Sequence, residues 1–436
     1  MVFGFFKRMF RIVLRIFYRR AFVTGLENFP KNKPVILAVN HPNSFLDAII
    51  ASVFTTKPLY FLARGDVFKN KVISAVLNSM HLIPIYRRLE SRNNHEKNQA
   101  TFERCHKMLG KNKAILIFPE GICTTNKRLR TPFRKGIARI AFGTLDSFPE
   151  KDVIILPVGV NYTRYSRFRS EIMVDIGPGI SAKDYYDLYK KDPGKALYDL
   201  TQDTEKGMRN TLVVLDDLKK SNFAEQWLDF YRSLKEYHPL PWKKKDRSRL
   251  EDEQRICNTL NARDSSSLEH IESKMNRFFR EMKEFGLKPM IFNQSTRFNF
   301  VFGFLLITTL PFYLIGKIYR ILPDTLALSI TKSKVRGPEF FCSVWICLGL
   351  LFHLIWLGLL LGFGSGYELY SYLGIPLVLV SALISVYYEA WCNRLMRSLK
   401  WMKFKKHPKF RGILEQYEEI QDHLEELDHQ KITLSA

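Results

Sequence analysis

Acidic residues are scarce in this chain of 436 residues, where 43 Asp and Glu stand against 67 Lys and Arg, a formal charge of +24. Such an excess of positive charge indicates an anionic partner, either nucleic acid or an acidic lipid surface. The basic residues lie beside long apolar runs, and neither zinc-finger spacing nor an RNA-binding aromatic signature is present. The expected partner is therefore a membrane with an anionic surface, and no nucleic acid is expected.

Cysteine is also sparse, and its six residues show no paired spacing of the kind that a zinc site or a redox motif needs. We therefore expect reduced thiols in a cytosol-facing or intramembrane setting. No serine or cysteine stands in a recognisable nucleophile motif, and no second histidine stands at ligand spacing. The sequence thus predicts neither a nucleophilic side chain nor a metal site, and no cofactor.

Residues 1–21 contain no acid and interleave basic residues with aromatic and aliphatic ones. They have no uninterrupted apolar core and no small-residue cleavage site, so a secretory signal is not predicted. A membrane-associated amphipathic helix lying in the plane of an anionic bilayer fits this pattern. An ordinary helix packed on its own domain is the alternative.

Residues 22–180 alternate short apolar runs with amphipathic ones, which predicts an α/β domain with a largely parallel sheet flanked by helices. The predicted strands are residues 35–39, 59–63, 82–86, 114–118, 153–160 and 171–176. The predicted helices are residues 46–54, 67–80, 95–109 and 135–145. Ligands in open α/β sheets collect at the carboxyl ends of strands, so polar residues that follow these strands are expected to converge on one edge.

The remaining chain divides into a helical, charged region (181–295), a membrane region (296–391) and a basic, then acidic, cytoplasmic tail (392–436). Within the membrane region, residues 341–362 and 372–388 are long and apolar enough to span a bilayer. Their outer flanks are rich in Lys and Arg whereas their connector is not. The positive-inside rule therefore predicts a transmembrane helical hairpin with both flanks in the cytoplasm.

Residues 298–316 are apolar too, but Pro311 interrupts them. If this segment also spanned the membrane, the residues on its two sides would lie in different compartments. An interfacial or re-entrant segment is expected instead, and whether it spans stays open.

The stretch from Asn40 to Asp47 carries the strongest chemical signal. Histidine suits proton transfer near neutral pH, and a carboxylate can fix its tautomer and stabilise the imidazolium. Six positions of a regular helix rotate a side chain by about 240°, so His41 should lie in the loop and Asp47 near the start of a helix, with Asn43 or Ser44 as its cap. The alternative is that Asp47 is only a first-turn acid favoured by the helix dipole.

Two further strands carry candidate site residues, Glu120 and Gly121 after residues 114–118 and Pro157 within residues 153–160. Glu120 is suited to binding a polyol hydroxyl, and Gly121 would let the backbone approach a ligand closely. Pro157 lies within an apolar strand, which indicates either a wall for an acyl chain or a structural bend.

Basic residues follow two of the predicted strands, residues 82–86 and 114–118. Arg87 and Arg88 follow one strand, and a cluster that includes Arg134 and Lys135 follows Glu120. Arginine matches phosphate oxygens in two-point contacts, and a helix start adds backbone donors. The alternative is a generic basic surface that faces a membrane.

In their order and spacing these elements resemble the glycerolipid acyltransferase superfamily, which includes glycerol-3-phosphate and lysophosphatidate acyltransferases. The resemblance covers residues 25–179, and the run 133–142 strengthens it. It implies an acyl thioester donor, acyl-CoA or acyl carrier protein, and a hydroxyl acceptor that His41 deprotonates while Asp47 orients it. It also implies that Arg88 contacts the acceptor phosphate, that Glu120 and Gly121 position the acceptor, and that Pro157 belongs to the last motif.

The chain departs from the family pattern in two places. Five residues rather than four separate His41 from Asp47, as in a long-spaced branch of the superfamily. Ile122 and Cys123 stand where the family has Thr-Arg, so a phosphate-binding arginine is missing. The residues considered as its replacement are Lys127, Arg128, Arg130 and Arg134.

The resemblance implies a membrane-bound O-acyltransferase of phospholipid biosynthesis that acts on a phosphorylated glycerol acceptor, glycerol 3-phosphate or lysophosphatidate. Its catalytic domain would be cytoplasmic, at a bacterial inner membrane or the endoplasmic reticulum. One alternative is a lysophospholipid remodelling acyltransferase or transacylase. Another is a membrane-binding protein with an inactive acyltransferase domain. The acyl-chain length, the carrier and the oligomeric state stay open.

Overall fold

The computed structural model describes residues 2–55, 57–86, 94–235, 242–292, 300–364, 366 and 370–429. The chain forms two compact units, and each unit is discontinuous in sequence. Unit 1 comprises Met1–Val214, Pro239–Glu251 and Gly337–Ser343. Unit 2 comprises Leu215–His238, Asp252–Arg336 and Val344–Ala436.

The described residues of unit 1 form a nine-stranded sheet with helices packed on it. The strands are β1 (Arg20–Thr24), β2 (Val35–Val39), β3 (Leu59–Arg64), β4 (Leu82–Ile85), β5 (Ala114–Ile117), β6 (Ile154–Tyr162), β7 (Glu171–Ile176), β8 (Ile180–Ser181) and β9 (Lys243–Lys244). The helices are α1 (Val2–Phe17), α2 (Phe45–Phe54), α3 (Lys71–Ser79), α4 (Asn94–Gly110), α5 (Gly136–Ser147), α6 (Tyr186–Lys191) and α7 (Pro193–Arg209).

The sheet is mixed but mostly parallel. Its order is β4-β3-β5-β2-β6-β7-β1-β9, with β8 paired to β6. In the spatial order β4-β3-β5-β2-β6, each strand is parallel to its neighbour. Strand β6 pairs antiparallel with β7 and β8, whereas β1 pairs in parallel with β7 and β9. Every residue of β2 is buried, as expected of a central strand covered on both faces. The predicted α/β fold class is confirmed.

The first helix ends earlier than the predicted range 1–21. α1 stops at Phe17, and Arg20 opens β1, which pairs with β7. Arg20 is tolerated in this buried strand because the carboxylate of Glu171 lies 3.7 Å from its guanidinium. The sequence prediction missed β1 because its basic first residue continues the pattern of the preceding helix.

One face of α1 packs on its own domain. Phe10, Leu14 and Phe17 are buried, and Nζ of Lys7 donates to the carbonyl of Thr55 over 2.6 Å. This is the packing that the sequence left as an alternative. The opposite face still exposes apolar and basic side chains, among them Phe5.

Unit 1 extends beyond the predicted domain end at residue 180. Ala196, Leu200 and Met208 of α7 are buried in the same hydrophobic cluster as Ile155 of β6. The charged outer face of α7 made this segment look like part of a separate helical region, whereas its apolar face covers the sheet.

The helices with residues in unit 2 are α8 (Ser221–Leu234), α9 (Ser248–Asn261), α10 (Ser265–Glu284), α11 (Phe300–Lys334), α12 (Pro338–Gly364), α13 (Ile375–Phe404) and α14 (Phe410–His429). Within the described residues, three helical stretches are long and apolar enough to cross a membrane: Gly303–Lys334, Pro338–Phe363 and Tyr372–Phe404. The second and third contain the two segments of the predicted hairpin. The first is one continuous helix that includes Pro311 and Pro323. The expectation of an interfacial or re-entrant segment over residues 298–316 stays a prediction.

Polar side chains link the three long helices within unit 2. Asp324 of α11 accepts from Arg320 over 2.9 Å and lies 3.0 Å from Nε2 of His353 on α12. Arg320 also donates to Oγ of Ser385 on α13 over 3.0 Å. These contacts connect α11 with α12 and with α13.

Candidate active site

The site begins where β2 ends. The side-chain amide of Asn40 donates to the carbonyl of Val160 over 3.0 Å and accepts the amide of the same residue over 2.7 Å. The amide group thereby continues the pairing of β2 with β6 for one more position. His41, the next residue, leaves the sheet from a fixed point.

His41 and Asp47 form the pair that their sequence context predicts. Nδ1 of His41 lies 3.1 Å from Oδ2 of Asp47, although five residues separate them. Asp47 lies in the first turn of α2, and the turn from Asn43 to Asp47 is closed by the amide of Leu46, which donates to the carbonyl of Asn43 over 3.1 Å. Ser44 precedes the helix with a φ of 49°, which lets the longer loop return toward the imidazole.

Asp47 is completely buried, and three donors surround its carboxylate. Besides His41, the amide of Asn43 donates to Oδ2 over 2.7 Å and the hydroxyl of Tyr162 donates to Oδ1 over 2.6 Å. Burial raises the pKa of Asp47, while these hydrogen bonds and the charge of His41 oppose the rise. The carboxylate is therefore held in one orientation by three groups on two segments, the loop that contains His41 and Asn43 and the end of β6.

The imidazole of His41 lies at the surface of this arrangement. Its ring stacks on Phe118, with centroids 3.7 Å apart and planes at 14°, and its side chain is 20% exposed. Nδ1 is taken by Asp47, whereas Nε2 makes no hydrogen bond within the described residues. With Asp47 ionised, the proton lies on Nδ1 and Nε2 presents its lone pair, which is the arrangement of a general base.

Glu120 bonds to the backbone of two loops. One carboxylate oxygen accepts the amide of His41 over 3.2 Å, and the other accepts the amide of Arg130 over 3.1 Å. Burial raises the pKa of Glu120, against the effect of these two hydrogen bonds. In this structure Glu120 joins the loop that contains His41 to the loop that contains Arg130. Its position after β5 alone did not indicate this role.

Gly121 and Arg134 are in close contact. Gly121 has a φ of 71°, and a Cβ atom at this position would lie 2.4 Å from Nε of Arg134. The guanidinium of Arg134 makes no hydrogen bond or ion pair within the described residues. Arg134 thus brings a cation to the Glu120–Gly121 turn, two residues before Cys123.

Two other predicted substrate-binding residues, Lys135 and Pro157, have their described contacts with α7. Nζ of Lys135 lies 5.8 Å from the ring centroid of Tyr198, so it points toward α7. Pro157 is buried within β6, and a Cβ atom at Gly207 would lie 2.7 Å from its ring. This contact packs the sheet against α7. It fits the second interpretation of Pro157, a structural bend, rather than a wall for an acyl chain. Arg87 and Arg88 lie outside the described residues.

Sequence reasoning missed Tyr162, which completes the environment of Asp47. It is the last residue of β6, and β6 pairs with β2, the strand that leads to His41. Its place at a strand end beside β2 is the signal that could have identified it. No group of three or more His, Cys, Asp and Glu side chains in the described part of the chain is arranged to hold a metal ion.

Comparison with known proteins identifies the same segment. Residues 20–161 match the family model described as Acyltransferase. Glycerol-3-phosphate O-acyltransferase 1 of Saccharomyces cerevisiae is 32% identical over 122 residues, which are 27% of this chain and 16% of that protein. The chloroplastic 1-acyl-sn-glycerol-3-phosphate acyltransferase BAT2 of Brassica napus is 29% identical over 122 residues, which are 28% of this chain and 33% of that protein.

The chain therefore spans a third or less of the length of these curated relatives. A solved structure, the 1-acyl-sn-glycerophosphate (LPA) acyltransferase PlsC from Thermotoga maritima, is 19% identical and aligns with a TM-score of 0.36. That alignment covers 48% of this chain and 78% of the other.

Proposed function

Since residues 20–161 carry an acyltransferase domain related to the glycerolipid acyltransferase superfamily, we propose that this chain is a membrane-bound O-acyltransferase of phospholipid biosynthesis. It transfers a fatty acyl group from an acyl thioester to the hydroxyl of glycerol 3-phosphate or lysophosphatidate. The observation that carries the proposal is the imidazole of His41, which is bonded through Nδ1 to a buried carboxylate and open at Nε2.

In the proposed reaction, Nε2 of His41 removes the proton of the acceptor hydroxyl as the oxygen attacks the thioester carbonyl. Collapse of the tetrahedral intermediate breaks the C–S bond, and the leaving thiolate takes the proton from the imidazolium. The products are an ester and a free thiol, so atoms and charges balance without an acyl-enzyme. A base of this kind contributes roughly 10²- to 10⁴-fold in rate, and the fixed carboxylate of Asp47 stabilises the imidazolium.

The acceptor phosphate is assigned to Arg134. Its guanidinium lies against Gly121 and is free to make the two-point contact that a phosphate favours. Cys123, at the position of the family's arginine, cannot supply that charge. Arg134 is one of the replacements that the sequence suggested, and its contact with the Glu120–Gly121 turn distinguishes it from Lys135.

Attachment to a membrane is supported by the three apolar helices of the described chain. Both the acyl donor and the product carry fatty chains, so an enzyme held at the bilayer encounters them where they partition. The basic surplus of the chain suits an anionic leaflet, and the catalytic domain is proposed to lie in the cytoplasm.

The experiment is an acceptor panel with labelled acyl-CoA and acyl carrier protein as donors, using full-length protein in nanodiscs. Glycerol 3-phosphate, lysophosphatidate and a neutral-headgroup lysophospholipid are compared, with His41→Ala as the matched control. We expect product only from the phosphorylated acceptors and a loss of about 10³-fold in the variant.

Preference for the neutral-headgroup lysolipid would instead identify a remodelling enzyme. Activity retained by His41→Ala would refute the proposed base. No thioester consumption by the wild-type protein with any acceptor would favour an inactive domain on a membrane-binding protein.

A further inference from the structure

The N-terminal end of α12 contacts the loop that carries the proposed base, His41. Residues 337–343 belong to unit 1, although the rest of α12 does not. Oγ of Ser343 donates to the carbonyl of Asn43 over 2.7 Å, and both residues are completely buried. Ser343 lies far in sequence from residues 20–161, the segment that matches the acyltransferase family.

Asn43 lies between His41 and Asp47 in the sequence, and its amide, side chain and carbonyl all form hydrogen bonds. Its amide donates to Oδ2 of Asp47 over 2.7 Å, and its side chain donates to the carbonyl of Tyr165 over 3.1 Å. Its carbonyl accepts the Ser343 hydroxyl as well as the Leu46 amide. The Ser343 bond therefore holds the carbonyl of the same residue whose amide bonds to the carboxylate of Asp47.

The loop of residues 123–124 also bonds to the loop that carries His41. Sγ of Cys123 accepts the amide of Ser44 over 3.2 Å, and the amide of Thr124 donates to the carbonyl of His41 over 3.1 Å. Burial raises the pKa of Cys123 to about 12, and the charge of Glu339, in the first turn of α12, contributes to that rise. The two loops of the site are thus bonded to each other, and the loop that contains Asn43 is bonded to α12 through Ser343.

We propose that Ser343 is a positioning residue for the His41–Asp47 pair, and that the N-terminal end of α12 completes the active site. This inference rests on the proposed function, because it assigns Ser343 a role in the same reaction. Loss of the Ser343 hydroxyl removes one of the hydrogen bonds that hold the carbonyl of Asn43. The Asp47 carboxylate and the imidazole that it orients then sample more positions, which lowers the rate of proton transfer but not the binding of either substrate.

The test compares Ser343→Ala with Ser381→Ala in the full-length protein in nanodiscs. Ser381 is equally buried, but its hydroxyl makes no hydrogen bond within the described residues, so its variant controls for loss of a buried hydroxyl from an apolar helix. Hydrogen exchange of residues 43–47 is measured by mass spectrometry, and kcat and KM are measured for donor and acceptor.

For Ser343→Ala we expect exchange of residues 43–47 to accelerate and kcat to fall about fivefold, the equivalent of one hydrogen bond, with both KM values unchanged. Ser381→Ala should match the wild type in both readouts. Wild-type exchange in Ser343→Ala would overturn the proposal, as would unchanged kcat accompanied only by a lower thermal midpoint. If the wild-type protein transfers no acyl group, the proposed function fails, and accelerated exchange in Ser343→Ala would still confirm the structural part of the inference.

Discussion

The hydroxyl of Tyr162 donates to Oδ1 of Asp47 over 2.6 Å, on the opposite side of the carboxylate from His41, which pairs with Oδ2 at 3.1 Å. Both oxygens of the buried carboxylate are therefore occupied, and its plane cannot rotate without breaking one contact. Burial and the nearby charge of Asp47 raise the pKa of Tyr162 well above its usual value, so the phenol stays protonated and remains a donor.

Tyr162→Phe should lower kcat by about tenfold, because a hydrogen bond to a charged group contributes roughly 1.5–3 kcal/mol and part of that effect is lost to relaxation. The KM values for donor and acceptor should stay within twofold. Tyr185→Phe is the matched control, since the Tyr185 hydroxyl also bonds to a carboxylate, that of Asp203, but at an exposed position. Equal kcat in Tyr162→Phe and the wild type would make the phenol a packing residue only.

Arg134→Ala should raise the KM of the phosphorylated acceptor by about tenfold or more and leave the donor KM unchanged. The reason is loss of the guanidinium that lies against Gly121. Lys135→Ala removes the adjacent cation, which points toward Tyr198, and should change acceptor KM little. A larger effect from Lys135→Ala than from Arg134→Ala would reverse the assignment.

Glu120→Gln should alter stability in a pH-dependent way. Burial raises the pKa of Glu120, so the folded protein binds this proton at a higher pH than the unfolded chain does. The stability of the wild type relative to Glu120→Gln should therefore increase as the pH falls through the raised pKa, and level off below the ordinary glutamate value of about 4.3. Thermal midpoints of both proteins between neutral pH and pH 4 test this, and a pH-independent difference would contradict it.

Glu171→Gln should show the opposite pH dependence. Burial alone would raise the pKa of Glu171, but the charges of Arg19, Arg249 and Arg20 hold it below the usual value. The stability that Glu171 contributes is thus present above about pH 4.3, the unfolded value, and is lost as the pH falls through the lowered pKa.

At neutral pH, Glu171→Gln leaves buried arginines without their counter-charge, which should destabilise the protein by about 3 kcal/mol. Asp152→Asn, which removes the more exposed pair with Lys33, should have a much smaller effect. Thermal unfolding at neutral pH measures both variants. A neutral outcome for Glu171→Gln would mean that water reaches this cluster.

The parts of the fold that follow hydrophobic pattern were predictable from the sequence. The ranges 35–39 and 171–176 coincide with β2 and β7, because each is a compact apolar run bounded by turn residues. β9 was not predictable, since it consists of two lysines that pair with β1 only after the chain has folded.

The active site was predictable to the same degree. The pairing of His41 with Asp47 follows from residue types and a strand–loop–helix context, so sequence reasoning reached it. Tyr162 and Ser343 have no local signature, because one is an ordinary strand residue and the other begins an apolar helix. Their contacts depend on sheet order and on a return of the chain that no local pattern encodes.

Residues 239–251 and 337–343 belong to unit 1 although they lie far along the chain, and this affects how the protein can be shortened. A shortened chain ending at residue 180, where the sequence pattern changes, would lose the packing of α7 on the sheet. One ending at Val214 would keep that packing but would lack β9 and the Ser343 turn, leaving the outer edge of β1 unpaired and Asn43 without its distant donor. Preparations that end at either residue are therefore poor substitutes for the full chain, and low activity of such preparations in an acyl-transfer assay would reflect the missing contacts.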